Sequence, residues 1–125
     1  APIVVAVTTL TSLNDKDLNE MGVTRPLTAH TLSLGEMAMS AGIGGLVCSP
    51  LEAAAFRKNL GPKPILVTPG IRLAGSDAGD QKRIATPEAA VKAGANFLVV
   101  GRPILEAADM NKAARLILSQ MKSDP

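Results

Sequence analysis

Four short apolar runs, separated by helical patterns, constrain the fold of this chain more than any other feature. The runs occupy residues 3–9, 45–49, 64–70 and 96–101. None alternates cleanly with polar residues, which is typical of parallel strands buried on both faces. Helical patterns cover residues 15–21, 31–41, 51–60, 86–94 and 111–122. The sequence therefore predicts an α/β fold with four βα units and a parallel sheet.

The helix after the third run carries the clearest start signal. Thr86 is a typical N-cap, Pro87 suits the first turn, and Glu88 places an acid near the positive end of the helix dipole. Gly94 is expected to end this helix.

Chain length limits how the four units can be arranged. Four βα units are half of an eight-fold barrel, which normally needs roughly 250 residues, whereas this chain has 125. Either the sheet stays open, or a missing half or a second copy completes the barrel. An open half would expose two strand edges and an apolar inner face. Because the chain also begins at Ala1 without a methionine, we expect residues 1–125 to be one half-barrel domain of a longer protein.

Composition argues against several classes of partner. Aromatic residues make up 2% of the chain and its net charge is +2, with scattered basic residues. These values disfavour both stacking on single-stranded nucleic acid and a duplex-binding patch. One cysteine, Cys48, excludes an internal disulfide and fits a reducing cytoplasm. No apolar stretch approaches the roughly 18 residues that span a bilayer, so we expect no membrane association.

The third and fourth apolar runs both end at a glycine followed closely by an arginine. The strings are Val67-Thr68-Pro69-Gly70-Ile71-Arg72 and Val99-Val100-Gly101-Arg102-Pro103. Glycine allows close approach to the backbone, and arginine offers donors that match phosphate geometry. Phosphate sites of eight-fold barrels commonly form after the last two strands. The long polar connection between the strings, residues 71–85, favours a ligand-covering loop. The alternative, turn glycines and solvated arginines, stays open.

Other chemistry-bearing residues give weaker signals. Hydroxyl groups cluster where the first run ends, at Thr8, Thr9, Thr11 and Ser12. These could bind a polar ligand or serve the strand end and the next helix, and both readings stay open. His30, the only histidine, is placed before a helix, so a nucleophile–base pair with Cys48 or Ser49 is not favoured. One histidine and one cysteine do not predict a metal site.

The chain resembles the C-terminal half of the orotidine 5'-phosphate decarboxylase family. The resemblance rests on Ala6-Val7-Thr8-Thr9-Leu10-Thr11-Ser12, Gly45-Leu46-Val47-Cys48-Ser49, the two glycine–arginine strings, Gly79-Asp80-Gln81-Lys82-Arg83 and Thr86-Pro87, in the same order and spacing. It implies the C-terminal half of a TIM (β/α)8 barrel. It also implies orotidine monophosphate as substrate, conversion to uridine monophosphate and CO2 in pyrimidine biosynthesis, and neither metal nor organic cofactor.

The resemblance assigns binding roles to five residues. Thr11 would lie near the pyrimidine and ribose, and Arg72 would belong to the ligand-binding set. Gln81, Gly101 and Arg102 would surround the 5'-phosphate, with Gln81 folding over the ligand.

The resemblance places no catalytic group in this chain. In the family, an Asp-x-Lys-x-x-Asp motif and an earlier lysine and aspartate surround the reacting carboxylate, and a lysine protonates C6. Asp80-Gln81-Lys82 imitates the motif, but Ala85 stands where its second aspartate should be. We therefore expect the chain to supply phosphate-binding energy and to be inactive without the N-terminal half.

Partners and alternatives follow from the same comparison. The resemblance implies a cytoplasmic homodimer with its active site at a two-fold interface. A second hypothesis is a stand-alone half-barrel that forms a non-catalytic phosphate-binding or structural oligomer. A third is a related sugar-phosphate barrel enzyme, which would share the phosphate site but not the full series of motifs.

Overall fold

A computed structural model describes residues 2–10, 12–73 and 85–122. Its strands form one parallel sheet in the order β1-β2-β3-β4, as the sequence predicts. They are β1 (Val5–Val7), β2 (Gly45–Val47), β3 (Ile65–Thr68) and β4 (Phe97–Leu98). Each strand is shorter than its apolar run, because the ends of the runs leave the hydrogen-bonded ladder. Thr68 and Leu98 end neighbouring strands at the carboxyl edge of the sheet.

Six helices accompany the strands within the described residues. They are α1 (Asp15–Glu20), α2 (Leu27–Ser40), α3 (Pro50–Leu60), α4 (Pro87–Lys92), α5 (Arg102–Leu105) and α6 (Met110–Met121). The predicted cap of α4 is confirmed, since the Thr86 hydroxyl accepts a hydrogen bond from the Ala89 amide at 3.3 Å. The one-turn helix α5 was not predicted, because only four residues carry it.

Helix α2 begins four residues earlier than its pattern predicts. Pro26 occupies the N-cap position and Leu27 is the first buried residue of the helix. The placement of His30 before a helix is therefore wrong, since His30 lies in the first turns of α2. Apolar spacing does not mark Leu27 as a helical residue, because Thr28 and His30 interrupt the pattern after it.

The helices cover one face of the sheet. Strand register aligns Ala6, Leu46 and Leu66 in one row, and this row packs with Phe56 of α3 in the main core. Helix α2 comes close enough that a Cβ at Gly35 would lie 2.2 Å from Cε1 of Phe56. Glycine at position 35 therefore allows α2 to pack closely against Phe56 of α3.

The opposite face of the sheet carries a second row, which we call the inner row: Val7, Val47, Val67 and Phe97. Val7 is 60% exposed and Phe97 is 59% exposed. The prediction that every strand is buried on both faces is wrong, because no layer within the described residues covers this side. The expectation of an exposed apolar inner face is confirmed.

Candidate functional site

The two glycine–arginine strings lie side by side at the carboxyl edge of the sheet. Thr68 pairs with Leu98 in the parallel ladder, and the Val99 amide donates to the Thr68 carbonyl at 3.0 Å. The backbone segments that lead to Arg72 and to Arg102 therefore leave adjacent strand ends. This adjacency is the arrangement that the sequence predicts for an anion site between two βα units.

Local backbone geometry determines where Arg72 lies. Gly70 has φ +79°, a left-handed conformation that favours glycine. Beyond it, Ile71 forms a parallel bridge with Ala85, and the Arg72 amide donates to the Ala85 carbonyl at 3.0 Å. The Ala85 amide in turn donates to the Gly70 carbonyl at 3.1 Å. These bonds hold Arg72 at the start of the long connection and bring the two ends of that connection together.

Within residues 2–10, 12–73 and 85–122, one hydrogen bond is made by the buried Arg72 guanidinium. Arg72 is 8% exposed, and its Nη1 donates to the Ile71 carbonyl at 2.8 Å. Among the described residues, no carboxylate forms an ion pair with it and no second acceptor is bonded to it. A buried charge is costly unless it is paired. An anionic ligand at this edge would supply further acceptors to the guanidinium.

Gly101 and Arg102 lie where β4 gives way to α5. Gly101 is exposed, and a Cβ built on it would meet no heavy atom within 4 Å. Its φ of −110° does not require glycine, so the space beside it rather than its conformation distinguishes this position. Arg102 is half-buried and is the first residue of α5. The open space beside Gly101 leaves room for a ligand at the backbone.

Two of the four hydroxyl groups predicted at the end of β1, those of Thr8 and Thr9, form hydrogen bonds within the protein. Thr8 Oγ1 donates to the Val47 carbonyl at 2.8 Å, and Thr9 Oγ1 shares a buried hydrogen bond with Thr31 Oγ1. These bonds favour the structural reading for Thr8 and Thr9, which tie β1 to β2 and to α2. Thr11 and Gln81 lie outside the described residues, so their proposed roles stay predictions.

A buried carboxylate, Glu52, lies at the same edge and was not singled out from the sequence. Ser49 precedes α3 and its hydroxyl donates to Glu52 Oε2, while Glu52 is 1% exposed. The Ser-x-x-Glu spacing is that of a capping box and could have revealed the pair. Cys48 is also buried, so neither Cys48 nor Ser49 presents an open nucleophile.

The opposite, amino-terminal edge of the sheet contains a different arginine site. Arg57 of α3 donates to the carbonyls of Gly94, Gly61 and Pro64 and to Asn96 Oδ1, at 2.6–3.2 Å. Asn96 Oδ1 also accepts from the Leu66 amide at 2.8 Å. This guanidinium joins α3 to the loops before β3 and β4, which is a structural role.

The described residues contain neither a metal-binding cluster nor a membrane-spanning helix. No three histidine, cysteine, aspartate or glutamate side chains within residues 2–10, 12–73 and 85–122 are grouped to hold a metal ion. None of the helices in these ranges is long and apolar enough to cross a membrane.

Comparisons with known proteins agree on one family. The model of the orotidine 5'-phosphate decarboxylase / HUMPS family matches residues 1–117. An orotidine 5'-phosphate decarboxylase of Gluconobacter oxydans is 52% identical over 98% of this chain and 52% of its own length. That of Idiomarina loihiensis is 48% identical over 96% of this chain and 52% of its own. The chain thus spans about half the length of these relatives.

A solved structure shows the same relation in three dimensions. The orotidine 5'-phosphate decarboxylase of Lactobacillus acidophilus superposes with a TM-score of 0.79 at 37% identity. The match covers 98% of this chain and 50% of that one. The parallel sheet and its alternating helices therefore correspond to half of a TIM barrel, as predicted.

Proposed function

The chain belongs to the orotidine 5'-phosphate decarboxylase / HUMPS family, and we propose that it is the phosphate-binding, C-terminal half of an orotidine 5'-phosphate decarboxylase. The observation that carries the proposal is the family match over residues 1–117, together with relatives about twice as long that are about half identical to this chain. The whole enzyme would convert orotidine monophosphate to uridine monophosphate and CO2. Like the family it resembles, it would act as a cytoplasmic homodimer.

The carboxyl edge has the chemistry that a phosphate monoester needs. Arg72 and Arg102 follow adjacent strand ends, and guanidinium groups bind phosphate oxygens through paired, charge-assisted hydrogen bonds. Gly101 leaves the backbone open beside them. We assign the 5'-phosphate to Gly101, Arg102 and Gln81, and we place Arg72 in the same binding set.

The paired ends of the long connection support a covering role for Gln81. The bridge between Ile71 and Ala85 anchors both ends of the connection beside Arg72. Gln81 lies between these two anchored ends in the sequence and carries an amide that can donate to a phosphate oxygen. The family resemblance implies that it covers the ligand.

This half would contribute binding rather than bond cleavage. Decarboxylation breaks the bond between C6 and the carboxylate, leaves the electron pair on C6, and requires a proton there. No lysine lies in the described strands, where desolvation could adjust its proton affinity. Binding energy from the remote phosphate can be used to close the site and lower the barrier. The charged groups at C6 would come from the N-terminal half.

Reconstitution tests the proposal. The 125-residue chain would be co-expressed with the N-terminal half of the Gluconobacter oxydans relative, and loss of orotidine monophosphate would be followed by absorbance. We expect no turnover by either half alone and turnover by the pair. Robust decarboxylation by this chain alone would contradict the division of roles, and an inactive but folded pair would contradict the function.

Two arginine variants make the test specific. Arg102→Ala should raise KM for orotidine monophosphate at least tenfold, because a charge-assisted phosphate contact is worth about 1.5–3 kcal/mol. Arg115→Ala is the matched control, since Arg115 is an exposed arginine on α6, and it should leave KM unchanged.

A further inference from the structure

The inner row forms an apolar surface that nothing in the described chain covers. Its members Val7, Val47, Val67 and Phe97 lie next to each other across all the strands, and Val99 continues the same face beyond β4 at 52% exposure. Contiguous apolar surface of this kind marks an interaction site rather than ordinary solvent-exposed residues.

Both edges of the sheet are also open. Strand β1 pairs only with β2, and β4 pairs only with β3, within the residues that the structure describes. Unpaired parallel edges are templates for further strands. A barrel closes with eight parallel strands, and this sheet has four. The sheet therefore has half of the strands that a closed barrel needs.

The exposed area is larger than a monomer of this mass needs. The chain exposes 7327 Å². Size scaling gives about 6300 Å² for a folded monomer of this mass. The excess is on the order of the 800 Å² that each partner buries in a standard interface.

We propose that the 125-residue chain, when separate from an N-terminal half, pairs with a second copy of itself through the inner row to close an eight-stranded barrel. In this arrangement β4 of each copy lies beside β1 of the other. The proposal rests on the sheet and its exposed face, and it holds whether or not the reconstituted enzyme decarboxylates orotidine monophosphate. The inner row faces the interior of a closed barrel. It therefore differs from the two-fold interface proposed for the complete enzyme, which would join the outer surfaces of two closed barrels.

Symmetry favours a second copy as the occupant. A two-fold axis parallel to the strands keeps every strand direction the same, so both junctions between β4 and β1 are parallel. One rotation closes both edges at once, which makes the contact isologous and finite. The inner rows of the two copies then face each other across the barrel interior, where apolar side chains normally fill the core.

Light scattering coupled to gel filtration tests the pairing. The wild-type chain should elute with twice the mass of 12.9 kDa. Val7→Asp, which places a charge in the inner row, should shift it to the monomer mass. The matched control is Leu51→Asp, because Leu51 is 59% exposed on α3, outside the inner row, and this variant should stay dimeric.

Thermal melting at several protein concentrations keeps the test decisive if Val7→Asp fails to fold. A dimer that covers the inner row should melt at a temperature that rises with concentration. A wild-type monomer with concentration-independent melting would overturn the proposal. So would a dimer that Val7→Asp leaves intact, since another surface would then be in contact. A monomer that forms a one-to-one complex only with an added N-terminal half would show that half to be the sole occupant.

Discussion

The two edges of the sheet use arginine in opposite ways. At the amino-terminal edge, Arg57 donates to four protein acceptors that lie in separate loops. At the carboxyl edge, Arg72 is more deeply buried and donates to the carbonyl of its own neighbour, Ile71. A guanidinium whose donors are used by the protein contributes stability. A buried guanidinium that has one partner among the described residues, as Arg72 has, is suited to binding an external anion.

The division matches the general organisation of parallel barrels. Ligands bind at the carboxyl ends of the strands, whereas the opposite face serves stability. The number of protein acceptors that an arginine binds therefore helps to distinguish a structural arginine from a ligand-binding one. Variants of Arg57 should mainly change stability, whereas variants of Arg72 should mainly change ligand affinity.

The largest expected effect is on stability, from Arg57→Ala. Removal of the guanidinium leaves the carbonyls of buried Pro64 and half-buried Gly94 without a donor that they now use, whereas the exposed Asn96 Oδ1 keeps the Leu66 amide as its donor. Each unmet buried acceptor costs about 1–3 kcal/mol. We expect the free energy of unfolding in urea to fall by about 3 kcal/mol.

Arg57→Lys is the informative control. A lysine ammonium cannot reproduce the planar set of donors that reaches four acceptors at once. The lysine variant should recover less than half of the loss. Full recovery would mean that charge alone, rather than the geometry of the bonds, stabilises this edge.

The next effect is on ligand binding, from Arg72→Met. Methionine fills similar space without charge, so the bond to the Ile71 carbonyl is lost and a buried charge is removed. The free energy of unfolding of the isolated chain should therefore change by less than about 1 kcal/mol. Affinity of the reconstituted enzyme for uridine monophosphate should fall by about 2 kcal/mol, roughly thirtyfold, because a charged donor is lost.

Calorimetric titration of the reconstituted enzyme measures the affinity for uridine monophosphate, and urea unfolding of the chain measures the change in stability. A large loss of stability with unchanged affinity would assign Arg72 to the same structural class as Arg57. The comparison between the edges would then fail.

The carboxyl edge was far easier to predict from the sequence than the amino-terminal edge. Apolar runs that stop at glycine and arginine are local signals, and they correctly placed Arg72 and Arg102 after adjacent strands. Arg57 was not found, because its acceptors at Gly94 and Asn96 are distant in sequence and no local pattern marks them. The family resemblance also named Thr11 and Gln81, which periodicity alone could not distinguish from other polar loop residues.

Burial of the strands was mispredicted for a physical reason of its own. Runs such as that around Val7 and Val67 are apolar on both faces, which is a property of a closed barrel. A sequence records the environment of the complete protein, and half of the sheet alone cannot provide that environment. The exposed Phe97 is therefore a sign of a missing partner rather than of an error in assigning the strand.

The smallest expected effects come from one glycine at each edge, and they give the closest comparison. Gly94 has φ +111°, and a Cβ there would lie 2.5 Å from Cγ of Arg57. Gly94→Ala should therefore destabilise the chain by about 1–2 kcal/mol, since it forces an unfavourable backbone conformation and displaces Arg57. Urea unfolding measures this loss.

Gly101→Ala should change ligand affinity more than stability. Its φ is negative and a Cβ would meet no heavy atom within 4 Å, so stability should change by less than about 1 kcal/mol, less than for Gly94→Ala. The added methyl group would nevertheless occupy the space that we assign to the phosphate, and affinity for uridine monophosphate should fall. If Gly101→Ala binds as tightly as wild type, the open space beside Gly101 is not part of the ligand site, and Arg102 must bind the phosphate from another direction.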